Sequence, residues 1–169
     1  MTHSDFDGKT AVVTGASQGI GAAIAKAYAA AGANVVVHYR SSRESANDVV
    51  DDISKNGGSA IALGASLNEA ASVDTLFSEA KGAFGSVEVL INNAGSFPNS
   101  PLLDLGLDDW QKMYADNVES TFLCTKTASN AMKSAGGGSI INMASTSAFN
   151  PGADHAHYNS AKAAVVMLT

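Results

Sequence analysis

The sequence predicts an α/β protein, a Rossmann-like, doubly wound parallel sheet with helices on both faces. Three observations lead there. Short apolar, β-rich runs alternate with amphipathic or alanine-rich helical stretches along the chain. The runs are apolar throughout instead of at every second residue, as in strands covered on both faces. The unusual residues sit directly after the runs, at residues 15–21, 39–40, 92–95 and at Ser145. Ligands of open parallel sheets bind at the carboxyl ends of strands, near the switch point.

In chain order, residues 10–14 (TAVVT) form the first strand, and GASQGIG leads into an alanine-rich helix ended by Gly32. NVVVHY (34–39) is a buried strand. Residues 43–56 form a helix with Val49, Val50 and Ile53 on one face. SAIAL (59–63) is the third strand, and residues 68–84 form a helix carrying Val73, Leu76, Phe77 and Ala80 at helical spacing. VEVLI (87–91) is the fourth strand. SFPNSPLLDLG holds two of the three prolines and is a loop. Residues 107–134 read as one long helix, with a short opening turn around Asp108 and Trp110, stopped by GGG. Residues 139–144 form the fifth strand, and a last helix carries Tyr158 and Lys162. Crossovers are expected to be right-handed.

The 169 residues suit one domain, 1–169, able to bury about 70% of its unfolded surface. Sixteen acidic against ten basic residues give a net charge of −6, which argues against nucleic acid or an anionic membrane as a partner. Cys124 is the single cysteine, so no intrachain disulfide forms, and the cytoplasm is the expected compartment. MTHSDFDGKT carries acids and no apolar core of a secretory signal, and no apolar run is long enough to span a membrane. The sequence stops at Thr169 inside the apolar run AAVVMLT without a helix stop, the pattern expected of a chain truncated at its C-terminus.

Each strand end suggests a role. The glycines at 15, 19 and 21 depart from the G-x-G-x-x-G spacing, yet they join a strand to a helix start, where free N–H groups and the positive end of the helix dipole receive a pyrophosphate. Ser17 adds a hydroxyl. After the second strand, a carboxylate would read a ribose 2′-OH. This chain has Tyr39 and Arg40 instead, and Arg40 can clamp a 2′-phosphate, so NADP is favoured and NAD stays possible. Asn92-Asn93-Ala94-Gly95 leaves room for a flat ligand. Asn117 lies inside a helix between apolar residues, where a buried polar role is credible. His155 and His157 are read as loop or cleft residues, no set of side chains has metal-ligand spacing, and Cys124 is read as packed in its helix.

Ser145 precedes Tyr158 by thirteen residues, and Lys162 follows it by four. On a helix that step places the phenol and the ammonium on one face. Such a pair can move a proton while the Ser145 hydroxyl polarises a carbonyl. The plain alternative is a Tyr and a Lys on an ordinary helix.

Taken together, TGASQGIG (14–21), NNAG (92–95), Asn117, Ser145 and YNSAK (158–162) resemble the short-chain dehydrogenase/reductase family, in the branch of 3-oxoacyl-carrier-protein reductases and glucose dehydrogenases. The resemblance runs from about Lys9 to Thr169. It implies an NAD(P)-dependent oxidoreductase interconverting a ketone or aldehyde and an alcohol. It further implies that Gly15, Ser17, Gln18, Gly19, Ile20 and Gly21 hold the dinucleotide phosphates and that Asn93, Ala94 and Gly95 line the adenosine side. Tyr158 would be the general acid/base, Lys162 would bind the nicotinamide ribose and ease proton release from Tyr158, Ser145 would orient the substrate oxygen, and Asn117 would support a relay to Lys162. Ser66 stands where the family usually has an adenine-reading Asp. The family continues with further strands and a substrate-covering loop, and its members assemble as dimers or tetramers, so a homo-oligomer is implied. Two alternatives stay open: a dinucleotide-binding sensor without turnover, and an inactive fragment.

Overall fold

A computed structural model describes residues 5–169. The first four residues, part of the stretch read above as lacking a signal, lie outside the described residues. The elements alternate as the sequence suggests: β1 (Thr10–Val13), α1 (Gly19–Ala30), β2 (Asn34–Tyr39), α2 (Arg43–Lys55), β3 (Ser59–Gly64), α3 (Ala70–Phe84), β4 (Val89–Asn92), α4 (Leu107–Tyr114), α5 (Ser120–Ala135), β5 (Ser139–Asn142) and α6 (Ala156–Leu168). The five strands are all parallel in the order β3-β2-β1-β4-β5. The chain steps outward from β1 to β3 and then crosses to the other side of β1, so the switch point lies between β1 and β4.

Strand alternation sorts the core into two layers. Ala11, Val13, Val35, Val37 and Ile91 pack with Ala25 and Ala29 of α1 and with Val49 and Ile53 of α2. Val12, Val36 and Leu90 point the other way, onto Val73, Leu76 and Phe77 of α3 and Cys124, Ala128 and Met132 of α5. β1 and β4 are buried along their whole length, which is why their sequences are apolar at consecutive positions.

Several boundaries differ from the sequence reading, among them these three. β4 begins at Val89; the preceding Glu88 turns its carboxylate to accept from the N–H of Thr10 at 2.8 Å. α3 begins at Ala70, because the Ser72 hydroxyl accepts from the N–H of Ser66 and closes the loop ahead of the helix. The long helix is not uniform: residues Ala115–Glu119 form a π-helical turn between α4 and α5. One extra residue in that turn leaves the apolar periodicity on either side unbroken, so the pattern gives no warning of it.

Candidate active site

At the switch point, β1 and β4 are joined by short polar side chains. The Thr14 hydroxyl donates to the Ile91 carbonyl at 3.2 Å and accepts from the N–H groups of Asn93 (2.9 Å) and Ala94 (3.0 Å). The Asn93 amide donates back to the carbonyls of Thr14 and Gly15, at 2.9 and 3.1 Å. Gly21 sits beneath this staple: a Cβ there would press on the Gly15 carbonyl and come within 2.6 Å of Asn93 Nδ2. The glycine turn therefore passes against the Asn-Ala-Gly loop with only a hydrogen between. No side chain caps the N-terminus of α1, which leaves its first N–H groups as donors for an anion.

A cavity of about 480 Å³ opens above this edge. Ser17, Gln18, Gly19, Ile20 and Gly21 line it from the glycine turn, Tyr39 and Arg40 from the end of β2, and Asn93, Ala94 and Gly95 from the end of β4. Asn117, Tyr158 and Lys162 line the far side. The segment after β5 contributes Met143 and Ala144, while Ser145, one residue on, is not among the lining residues.

Arg40 reaches across the cavity. Its Nη1 donates to Asp116 Oδ1 at 3.1 Å, and Asp116 Oδ2 accepts from Lys112 Nζ (2.7 Å) and Ser96 Oγ (3.0 Å). Burial alone would push the Asp116 carboxyl up. The hydrogen bonds from Lys112 and Ser96, with the charges of Lys112 and Arg40, outweigh it and hold the carboxyl below its ordinary range. One of the five guanidinium donors is thus engaged, and the Arg40 side chain stays 63% exposed.

The π-helical turn presents Asn117. Its Nδ2 donates to the carbonyls of Ser96 and Met113, each at 3.0 Å, and its Oδ1 is buried without a hydrogen-bond partner. Gly95 marks where the site converges, since a Cβ there would lie 2.5 Å from Asn117 Oδ1 and 3.7 Å from Lys162 Nζ. Lys162 is buried; its ammonium donates to the Met143 carbonyl at 2.8 Å and lies 5.8 Å from the centre of the Tyr158 ring. Burial pushes the Lys162 pKa down. The four-residue step on α6 therefore brings phenol and ammonium together on one face. Phe97 and His155 flank the Tyr158 ring, with centroids at 6.4 and 6.2 Å. Ser145 caps a 3₁₀ turn, its hydroxyl accepting from the N–H of Ser147 at 3.1 Å and keeping its own hydrogen to donate.

Other expectations are placed differently. Ser66 turns its hydroxyl to Asn68 Oδ1 at 2.9 Å; Leu67 and Asn68, not Ser66, line the cavity. His157, read as a loop or cleft residue, is buried in the first turn of α6 and lines a second cavity of about 280 Å³, separate from Tyr158. Cys124, by contrast, is packed in its helix as read, fully buried, with its thiol pushed up to about 12 by burial. Thr14, Asp116, Ser96 and His38 belong to the site although the sequence reading gave them no role. For Thr14 a signal existed: a polar residue closes an otherwise apolar strand, directly before the glycine turn. Among the described residues no group of three or more His, Cys, Asp or Glu side chains could hold a metal ion, and no helix is long and apolar enough to cross a membrane.

Residues 9–169 match the family model for short chain dehydrogenases. The chain is 44% identical over 163 residues to a 3-oxoacyl-[acyl-carrier-protein] reductase of Synechocystis sp., covering 95% of this chain and 65% of that protein. A short-chain type dehydrogenase/reductase from Mycobacterium marinum superposes with a TM-score of 0.94 at 36% identity, covering 99% of this chain and 68% of that one. A 7α-hydroxysteroid dehydrogenase complexed with NADH and 7-oxo glycochenodeoxycholic acid superposes with a TM-score of 0.93 at 36% identity, covering 98% and 64%. The chain spans just under two thirds of the length of the curated relatives it matches.

Proposed function

Because the chain belongs to the short-chain dehydrogenase family, we propose that it carries the cofactor-binding and catalytic part of an NAD(P)-dependent oxidoreductase. The substrate pair is a ketone or aldehyde and the corresponding alcohol. The observation that carries this reading is one cavity at the carboxyl ends of β1, β2 and β4 that has the glycine turn at one end and Tyr158 and Lys162 at the other. The residues present fit a dinucleotide: uncapped N–H groups at the start of α1, a backbone kept bare at Gly21, and a buried, unpartnered acceptor on Asn117. The solved relative described above as complexed with NADH supports the cofactor class.

When bound, the nicotinamide supplies or accepts the hydride. The chain's own groups handle the proton. The Tyr158 hydroxyl gives it to the carbonyl oxygen during reduction and takes it back during oxidation. The Lys162 ammonium, 5.8 Å from the ring, stabilises the negative charge that proton release leaves on the phenol oxygen. Ser145 donates its hydroxyl hydrogen to the same substrate oxygen. Asn117 Oδ1, close to Lys162 around Gly95, takes part in returning the proton.

NADP is the preferred cofactor in this reading, with the four remaining N–H donors of Arg40 reading the 2′-phosphate. The complete protein is a homo-oligomer in the cytoplasm. The test is nicotinamide absorbance followed across a panel of ketones, aldehydes and secondary alcohols with each cofactor. Turnover supports the reading. Dinucleotide binding without turnover on any member would instead favour a non-catalytic sensor.

A further inference from the structure

We propose that His38 is a positioning residue of the dinucleotide site: a neutral imidazole that locks the glycine turn to the ends of β2 and β3. The proposal rests on the cofactor reading above. His38 is 2% exposed, next to last in β2, directly after the apolar residues Val35, Val36 and Val37. Its Nδ1 lies 3.0 Å from the N–H of Gly15, and its Nε2 lies 3.2 Å from the carbonyl of Ala65. A backbone N–H can only donate and a carbonyl can only accept. Nδ1 is therefore the bare nitrogen, and Nε2 carries the proton. One neutral tautomer satisfies both partners. An imidazolium has no lone pair for Gly15.

The placement makes this more than a buried polar side chain finding partners. Gly15 opens the turn that receives the phosphates, and Ala65 precedes Leu67 and Asn68 on the opposite wall of the same cavity. The His38 backbone carbonyl adds a bond from the N–H of Ala16 at 2.8 Å, and Ala65 N–H reaches the Tyr39 carbonyl at 3.1 Å. Three strand ends that diverge beyond the sheet are thus tied through one residue. Where parallel strands end, ladder bonds end too, and the next backbone groups need other partners. Removing the imidazole leaves a buried donor and a buried acceptor unpaired at the point where the cofactor's phosphates and adenosine must be held in register.

Nothing charged competes for the ring. The turn after β1 contributes Thr14, Gly15 and Ala16 there, the end of β3 contributes Leu63 and Gly64 with Ala65 just beyond it, and the first turn of α1 has no titratable side chain. The adjoining titratable groups are Tyr39, the last residue of its own strand, and Arg40 directly after it. Burial holds the imidazole down to about 4, with the Ala65 bond acting in the opposite direction, so the neutral form persists through neutral pH.

The test compares His38→Leu with His38→Asn in the full protein. Dissociation constants for NADPH and NADH are read by cofactor fluorescence, and the cofactor KM is read beside kcat. The Leu variant is expected to weaken dinucleotide binding about tenfold or more, with cofactor KM rising more than kcat falls. The Asn side chain offers Oδ1 to the Gly15 N–H and is expected to bring binding back to within about threefold of wild type. In wild-type protein, ¹⁵N-histidine spectra at neutral pH should show His38 with Nδ1 unprotonated and Nε2 protonated. Leu binding within about twofold of wild type, or Asn as weak as Leu, overturns the proposal. So does the opposite tautomer, a readout that stands even where the Leu variant fails to fold. A wild-type protein that binds neither dinucleotide overturns the cofactor reading itself, and this proposal with it; tight wild-type binding that ignores position 38 overturns this proposal alone.

Discussion

Arg40 and Asp116 lie 76 positions apart in the sequence and meet at 3.1 Å across the mouth of the cavity, Nη1 to Oδ1. The carboxylate is 5% exposed and the guanidinium 63%, so Asp116 is the fixed partner and Arg40 the adjustable one. A 2′-phosphate and Asp116 compete for the same cation. Asp116→Asn should free Arg40 and lower the NADP KM relative to the NAD KM by about two- to fivefold, the range for a pair whose cation is solvent-exposed. Arg40→Ala should raise the NADP KM more than the NAD KM. Equal effects on both cofactors would mean that Arg40 does not read the phosphate.

Acid stability should follow His38. Its pKa is lowered from 6.5 to about 4 in the folded chain, so between those values the unfolded chain binds the extra proton. Stability from this group is complete above about 6.5 and is lost as pH falls toward 4. Integrating that difference gives a loss of about 2 kcal/mol between pH 7 and pH 5. Urea denaturation at the two pH values measures it. His38→Asn should show a correspondingly shallower loss; an identical slope would remove His38 from the account.

Two glycines should respond oppositely to alanine. At Gly21 the added carbon presses on the Gly15 carbonyl and lies 2.6 Å from Asn93 Nδ2, so Gly21→Ala must break the staple between β1 and β4. A loss of about 2 kcal/mol or more, with weaker dinucleotide binding, is expected. Gly82 lies within α3, where a Cβ meets nothing within 4 Å. Gly82→Ala should stabilise by about 0.5–1 kcal/mol and leave binding alone. Thermal melts with and without dinucleotide separate the two.

The sequence made the architecture readable because its signals are local. Apolar runs such as Val35–Val36–Val37 can be buried on both faces only in a covered parallel sheet, and a glycine turn or an Asn-Ala-Gly loop announces where each strand stops. Tyr158 and Lys162 were legible for the same reason, since a helix fixes their relation within one turn. What escaped depends on distance or on backbone detail. Asp116 faces Arg40 only because the π-helical turn after α4 meets the segment that follows β2, and nothing near either residue encodes that meeting. His38 sits in a run that reads as a plain buried strand, and its partners, Gly15 and Ala65, are 23 and 27 residues away. The π-helical turn at Asn117 leaves helical periodicity intact on both sides. Ser66 follows from the resemblance, as the residue at the position where the family usually has Asp, but its hydroxyl turns to Asn68, and Leu67 and Asn68 line the wall instead.

The central claim is that Tyr158, seated on α6 beside Lys162 at 5.8 Å, moves the proton. It is tested most directly by Tyr158→Phe in the full protein, with turnover followed by nicotinamide absorbance at saturating cofactor and dinucleotide binding followed in parallel. The expected result is a fall in kcat of about a hundredfold to ten-thousandfold, with binding retained, because only the proton donor is removed. Turnover by the variant at the wild-type rate would contradict the claim.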